Sequence, residues 1–166
     1  MISPFLSKLI TTRQATFTDE EIEIFELKYF LLPLQSLVDL QQKIQDKTVM
    51  EDLGYFISNS IIDHFKKKYA MDESKIVDIW TKLFDLSGFG KLEIVSLNEK
   101  EGVFQIKNNN FAKIYASKHG QQKEPVCHII RGVLKNVYER TQGKKVECKE
   151  LQCIAAGKNV CTFKTQ

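Results

Sequence analysis

All four cysteines of this 166-residue chain, Cys127, Cys148, Cys153 and Cys161, fall within its last forty positions. Thiolates are soft ligands. Two of them brought together by a hairpin, a third delivered by a helix and a nearby carboxylate would make a four-coordinate site that suits zinc. Gly157 and Asn159 lie between Cys153 and Cys161, and both residue types accept the positive backbone angles of a tight turn. Cys127 follows Pro125 at the expected start of a helix, where free amides and the helix dipole favour a thiolate. The fourth position stays open between Glu150 and Cys148. In an extended strand these two share one face and Cys153 lies on the other, so either choice requires a strand break near Leu151.

Other chemistries fit the pattern less well. Free buried thiols are the plain alternative, since cysteine packs like a small hydrophobe. Disulfides are not expected, because no secretory signal pattern opens the chain and a reducing cytoplasm is the implied address. A Cys–His nucleophile is disfavoured: His128, adjacent to Cys127, points to a different helical face, and His119 falls in a linker. The chain has no Gly-x-Gly-x-x-Gly after a strand, no phosphate loop and no serine elbow, so independent enzymatic activity is not expected. Four protein ligands would leave no open position on zinc, which makes the expected metal structural.

Composition sets the outer bounds. The length suits one domain spanning residues 1–166 with a full core. A net charge of +3, from 24 basic and 21 acidic residues that are interleaved, gives no electrostatic case for nucleic acid. Lys66, Lys67 and Lys68 read as the basic end of a helix. The longest low-charge run, Tyr29 to Val38, is interrupted by Pro33 and is about half a membrane span, so no span is expected.

The elements that must position the cysteines follow from periodicity. Ile2, Phe5, Leu6, Leu9 and Ile10 fit a short amphipathic helix, and residues 1–17 are a candidate dimerisation segment. Ile22 and Ile24 alternate on one parity and Leu27, Tyr29 and Leu31 on the other, which predicts a bulge or tight hairpin near Phe25 and Glu26. Pro33 opens a helix to about Asp46. Thr48 and Glu51 read as a capping box for a long helix, with Val49, Leu53, Phe56, Ile57, Ile61 and Phe65 as its apolar stripe. Asp72 caps a third helix carrying Ile76, Trp80, Leu83 and Phe84, which stops at Gly88. Two strands over 92–97 and 103–107, a short helix from Phe111 after an asparagine cap, a regular helix from Pro125 to Gly143 and strands over 144–153 and 160–164 complete the chain. The fold class is mixed α/β, an antiparallel sheet packed against a helical layer.

The order Cys127, then Glu150-x-x-Cys153-x-x-x-Gly157-x-x-x-Cys161-x-Phe163, after a Pro-Val-Cys helix start, resembles the carboxy-terminal signature of the 4-vinyl reductase domain family. These are small-molecule-binding domains related to aromatic-sensing regulators, to the ligand-binding domains of nitric-oxide signalling and to core subunits of the TRAPP tethering complex. The resemblance is dense over residues 125–163 and extends to the strand-turn-strand and Leu31-Leu32-Pro33 region. It implies a zinc ion held by Cys127, Glu150, Cys153 and Cys161, with Cys148 outside the motif. It also implies a homodimer and a pocket between helices and sheet.

The leading expectation is a zinc-stapled domain that binds a small hydrophobic molecule and signals through a partner protein, with Trp80, Phe84 and Tyr115 lining the pocket. A dimeric scaffold of the TRAPP-subunit type without ligand is the second, and a reductase-associated enzyme subunit the third.

Overall fold

The computed structural model describes residues 2–166, which divide into two compact units, residues up to Pro33 and Leu34–Gln166. The first holds α1 (Pro4–Thr11) and a three-stranded antiparallel sheet, β1 (Ala15–Phe17), β2 (Ile22–Ile24) and β3 (Leu27–Tyr29), in sequential order. Ser3 caps α1 by accepting from the Leu6 N–H, and Pro4 occupies the first turn, where its missing donor costs nothing. Leu9 is the buried residue of this helix, while Ile2 and Ile10 are exposed. Phe25 and Glu26 both have positive φ, 53° and 62°, and Ile24 pairs with Leu27. The change of parity is thus a two-residue hairpin, the tighter of the two expected solutions.

The second unit carries α2 (Leu34–Lys43), α3 (Lys47–Tyr69), α4 (Glu73–Leu86), α5 (Asn110–His119) and α6 (His128–Gln142) with four strands. These are β4 (Lys91–Leu97), β5 (Gly102–Lys107), β6 (Cys148–Gln152) and β7 (Cys161–Thr165), antiparallel in the order β4-β5-β7-β6. Placing β7 between β5 and β6 makes the last strand central, with Phe163 opposite Phe104 on β5 and Glu150 on β6. Phe104, Ile106 and Phe163 are fully buried, and Ile129, Ile130, Leu134, Val137 and Tyr138 of α6 are equally enclosed. The stripe read for α6 is buried throughout.

Three expectations are corrected. The start of α3 is capped by Asp46, whose Oδ1 accepts from the Thr48 N–H at 2.9 Å and the Thr48 hydroxyl at 2.7 Å. Glu51 does not reach back to form a capping box; it pairs with Arg131 of α6. The second correction is the face that α3 turns inward. Met50, Gly54, Ser58, Ile62 and Phe65 are buried, whereas Val49, Phe56 and Ile57 are exposed. The cause is the crossing with α6: a Cβ on Gly54 would lie 1.9 Å from the Ile129 carbonyl oxygen, and one on Gly132 only 1.7 Å from that of Glu51. Backbones that approach so closely require the small residues at the seam, and the larger apolar side chains face away. Third, α6 begins at His128 rather than Pro125, and β6 begins at Cys148 rather than Lys144.

Candidate metal centre

Cys127, Glu150, Cys153 and Cys161 converge from four short stretches of chain. Cys127 is the N-cap residue of α6, and the segment before it is pinned by the buried Gln41 side chain, which donates to the Val126 carbonyl at 2.8 Å. Glu150 lies on β6, where the pairing with β7 shifts between Glu150 and Gln152. The expected break at Leu151 is this bulge. It leaves Leu151 exposed and lets Cys153, which follows the strand, face the same interior as Glu150. A single 3₁₀ turn, Ile154–Ala156, and Gly157 at φ 82° then reverse the chain, and Cys161 opens β7. Asn159 does not adopt a positive φ, so Gly157 alone supplies the left-handed turn.

The geometry fits a metal. The Cys127 sulfur is 3.9 Å from Cys153 and 3.9 Å from Cys161, and one ligand atom from each of the four residues falls within 4.8 Å of the others. Disulfide geometry is excluded at that separation. Tetrahedral sulfur ligands about zinc would stand about 3.8 Å apart, given Zn–S bonds of ~2.3 Å. Glu150 Oε2 accepts from the Cys127 N–H at 2.9 Å, while Oε1 is buried with no hydrogen-bond partner. An orphaned carboxylate oxygen beside three sulfurs is a costly arrangement that a cation would relieve. Two further donors point at the sulfurs: Asn109 Nδ2 to Cys127 and the Ile154 N–H to Cys161, each at 3.3 Å.

Electrostatics shows the strain of the metal-free centre. Burial pushes the Cys127 thiol well above its ordinary value, reinforced by its sulfur neighbours. Cys153 moves the other way, because hydrogen bonds from the Cys127 and Cys161 thiols favour its thiolate. Cys161 is lowered by its Cys127 contact, but donation to Cys153 and burial outweigh this and raise it. Burial, followed by the Cys153 charge, pushes Glu150 up to about 8. One thiolate is therefore tolerated, and the other groups keep protons that a divalent cation would displace.

Cys148 lies outside this group. It faces the core from β6, opposite Thr165, and burial drives its thiol up to about 12. Asn109 is the site residue that sequence reading missed as such. Its Oδ1 caps α5 by accepting from the Ala112 N–H at 3.1 Å while its amide reaches Cys127. The Asn108–Asn110 run signalled a cap, but nothing in it signalled the second bond.

The three residues expected to line a pocket belong to one aromatic chain. Trp80, Phe84, Phe89, Phe111 and Tyr115 contact one another in that order, with ring centroids 5.6 to 6.3 Å apart, and His119 follows Tyr115 at 5.0 Å. Trp80, Phe84 and Tyr115 are all buried. Trp80 borders a cavity of about 10 Å³ between α3, α4 and α6, room for a single water. Tyr115 borders an open groove of about 410 Å³ with Lys47, Glu124 and His128, and its hydroxyl donates to Gln42.

Residues 103–166 match the family model of the 4-vinyl reductase domain. The resemblance to that family therefore holds, and the matched span contains all four residues of the metal centre. An uncharacterized protein of Methanocaldococcus jannaschii, MJ1460, is 26% identical over 169 residues, covering 98% of this chain and 94% of its own length. The phenol-responsive sensory domain of the transcription activator PoxR, solved with phenol, superposes with a TM-score of 0.80 at 15% identity, covering 99% of this chain and 90% of that one. Subunit 3 of the trafficking protein particle complex from Naegleria fowleri, solved with covalently bound palmitic acid, gives a TM-score of 0.56 at 17% identity, covering 80% and 89%. The fold is the one these sensory and trafficking domains share: antiparallel sheets packed against helices. Among the described residues no helix is long and apolar enough to cross a membrane.

Proposed function

We propose that this chain is a sensing domain that binds a small apolar molecule, preferably an aromatic one, and that a structural zinc holds the frame of its binding region. Cys127, Glu150, Cys153 and Cys161 would hold the ion. When bound, zinc would supply charge neutralisation and cross-linking rather than catalysis, because four protein ligands complete its coordination.

The observation that carries the ligand reading is the aromatic chain from Trp80 to Tyr115. Five rings in series between α4 and α5 offer faces and edges on which another ring can stack, and Asn109 ties the start of α5 to Cys127. A phenol-binding relative in fold agrees with this class of ligand. The cavity beside Trp80 is about 10 Å³, so the rings must part to admit a guest, and binding selects an opened arrangement.

Native mass spectrometry on freshly purified protein, together with melting temperatures in the presence of phenol and indole, tests the reading. A retained small-molecule mass, or a melting temperature that rises with probe concentration, is expected. The filled core favours a second reading, a dimeric scaffold without ligand; dimer plus metal as the only species and no response to either probe would replace the first reading with it.

A further inference from the structure

The outward face of α3 is the largest apolar feature that the fold leaves without an explanation. Val49, Leu53, Phe56, Ile57, Ser60, His64 and Lys67 recur at helical spacing on the side opposite the Gly54–Ser58 seam. Phe56 keeps 65% of its surface exposed, Val49 48% and Ile57 46%. Such a row on a surface helix marks an interface more often than a solvated face.

The polar groups of this face say what covers it. The Ser60 hydroxyl already donates to the Phe56 carbonyl, so it can be buried at no cost in unmade bonds. Asp63 is taken by Arg140 and by the Asn59 amide. Asp52 and Lys67 have no partner within the described residues. They stand at opposite ends of the apolar row, fifteen positions and therefore about 22 Å apart along the axis. An identical helix laid antiparallel across this one, with the two-fold axis between Asn59 and Ser60, brings Asp52 of each copy beside Lys67 of the other. The same axis sets the two Phe56 rings on either side of it, beside Ser60, the small residue that gives them room. A parallel arrangement would instead place Asp52 against Asp52 and Lys67 against Lys67.

We propose that the outer face of α3 is an isologous docking surface for a second copy of this chain, paired antiparallel and locked in register by reciprocal Asp52–Lys67 contacts. The N-terminal stripe of Ile2 and Ile10 is not the seam.

Sedimentation equilibrium of the full chain and its variants tests this. The wild-type protein is expected to be dimeric at micromolar concentration. Phe56→Glu should raise the dimer dissociation constant by about 30-fold or more, the size of a hot-spot loss, with the helical circular dichroism unchanged. Asp52→Lys and Lys67→Asp should each weaken pairing by about 3-fold, and combining the two should restore it, since the reversed charges meet again across the axis. Ile10→Glu should leave the dimer intact. A monomeric wild type, a dimer indifferent to Phe56→Glu, or a charge reversal that compounds the losses instead of restoring pairing would each overturn the proposal. So would dissociation by Ile10→Glu alone. Monomeric protein that binds anionic phospholipid vesicles through Phe56 would overturn it as well, assigning the face to a membrane surface.

Discussion

Glu150 is the residue on which the chemistry of the centre turns, because it is the one ligand whose two oxygens are treated differently. Oε2 is fixed by the Cys127 N–H, and Oε1 is left buried and unpaired. A cysteine in its place could not hold the backbone of its neighbour and reach a metal at once. With its acidity shifted up to about 8, the carboxyl carries a proton at neutral pH until a cation arrives. Zinc uptake at pH 7 should therefore release protons from Glu150, Cys127 and Cys161, with affinity falling as pH drops below 8. Calorimetry in buffers of different ionisation enthalpy counts them. Glu150→Gln is expected to release one proton fewer and to lose zinc to a chelator at least about tenfold more readily, whereas Cys148→Ser should behave as wild type. The reverse ranking would place the fourth ligand at Cys148. Cys153 and Cys161 were legible as a pair from Gly157 between them. The choice of Glu150 over Cys148 was not legible from the strand alone, since the two share a face and only the bulge at Leu151 separates their fates.

At the scale of elements, α3 and α6 form the axis of the larger unit, and their contact depends on what two residues lack. Gly54 and Gly132 let each helix meet the other's carbonyl oxygens, and the crossing is framed by Arg131–Glu51, Arg140–Asp63 and the Tyr55 hydroxyl on Glu139. Gly132→Ala should raise intrinsic helix propensity and still destabilise the protein, by about 3 kcal/mol or more, because the added methyl meets backbone and the helices must separate. Urea unfolding measures it; a neutral or stabilising substitution would show that the helices can shift apart cheaply. This crossing also explains where sequence reading succeeded and failed. The α6 stripe was legible because large apolar residues at regular spacing do face the core. The α3 stripe was misread because the same rule ranks Val49, Phe56 and Ile57 above Gly54 and Ser58, whereas proximity of backbones favours the smaller set. Local signals fared better: the parity change at Phe25 and Glu26, the asparagine cap of α5 and the aspartate cap of α4 all depend on a few adjacent residues.

Across the whole molecule, the candidate metal centre joins parts of the chain that nothing else joins so tightly. The start of α6, the bulged end of β6 and the start of β7 meet there, and through Asn109 the beginning of α5 is attached as well. The turn that follows Cys153 is short of core: Leu151 is exposed, and Gly157, Lys158 and Asn159 lie at the surface. Its order then depends on the sulfurs. The α3–α6 crossing, by contrast, rests on buried apolar contact and ion pairs that involve no cysteine. Removing the metal should therefore act unevenly. With zinc at about a thousandfold its dissociation constant, the bound ion contributes roughly 4 kcal/mol to stability, and chelation withdraws it. Hydrogen exchange should show residues 148–162 and the Asn109–Ala112 cap losing protection first, while the amides of α3 and the later turns of α6 retain theirs until global unfolding. Uniform loss along the chain would mean that the centre nucleates the entire unit instead of stapling one end of it, and an unchanged exchange pattern would mean that the four residues pack together without an ion.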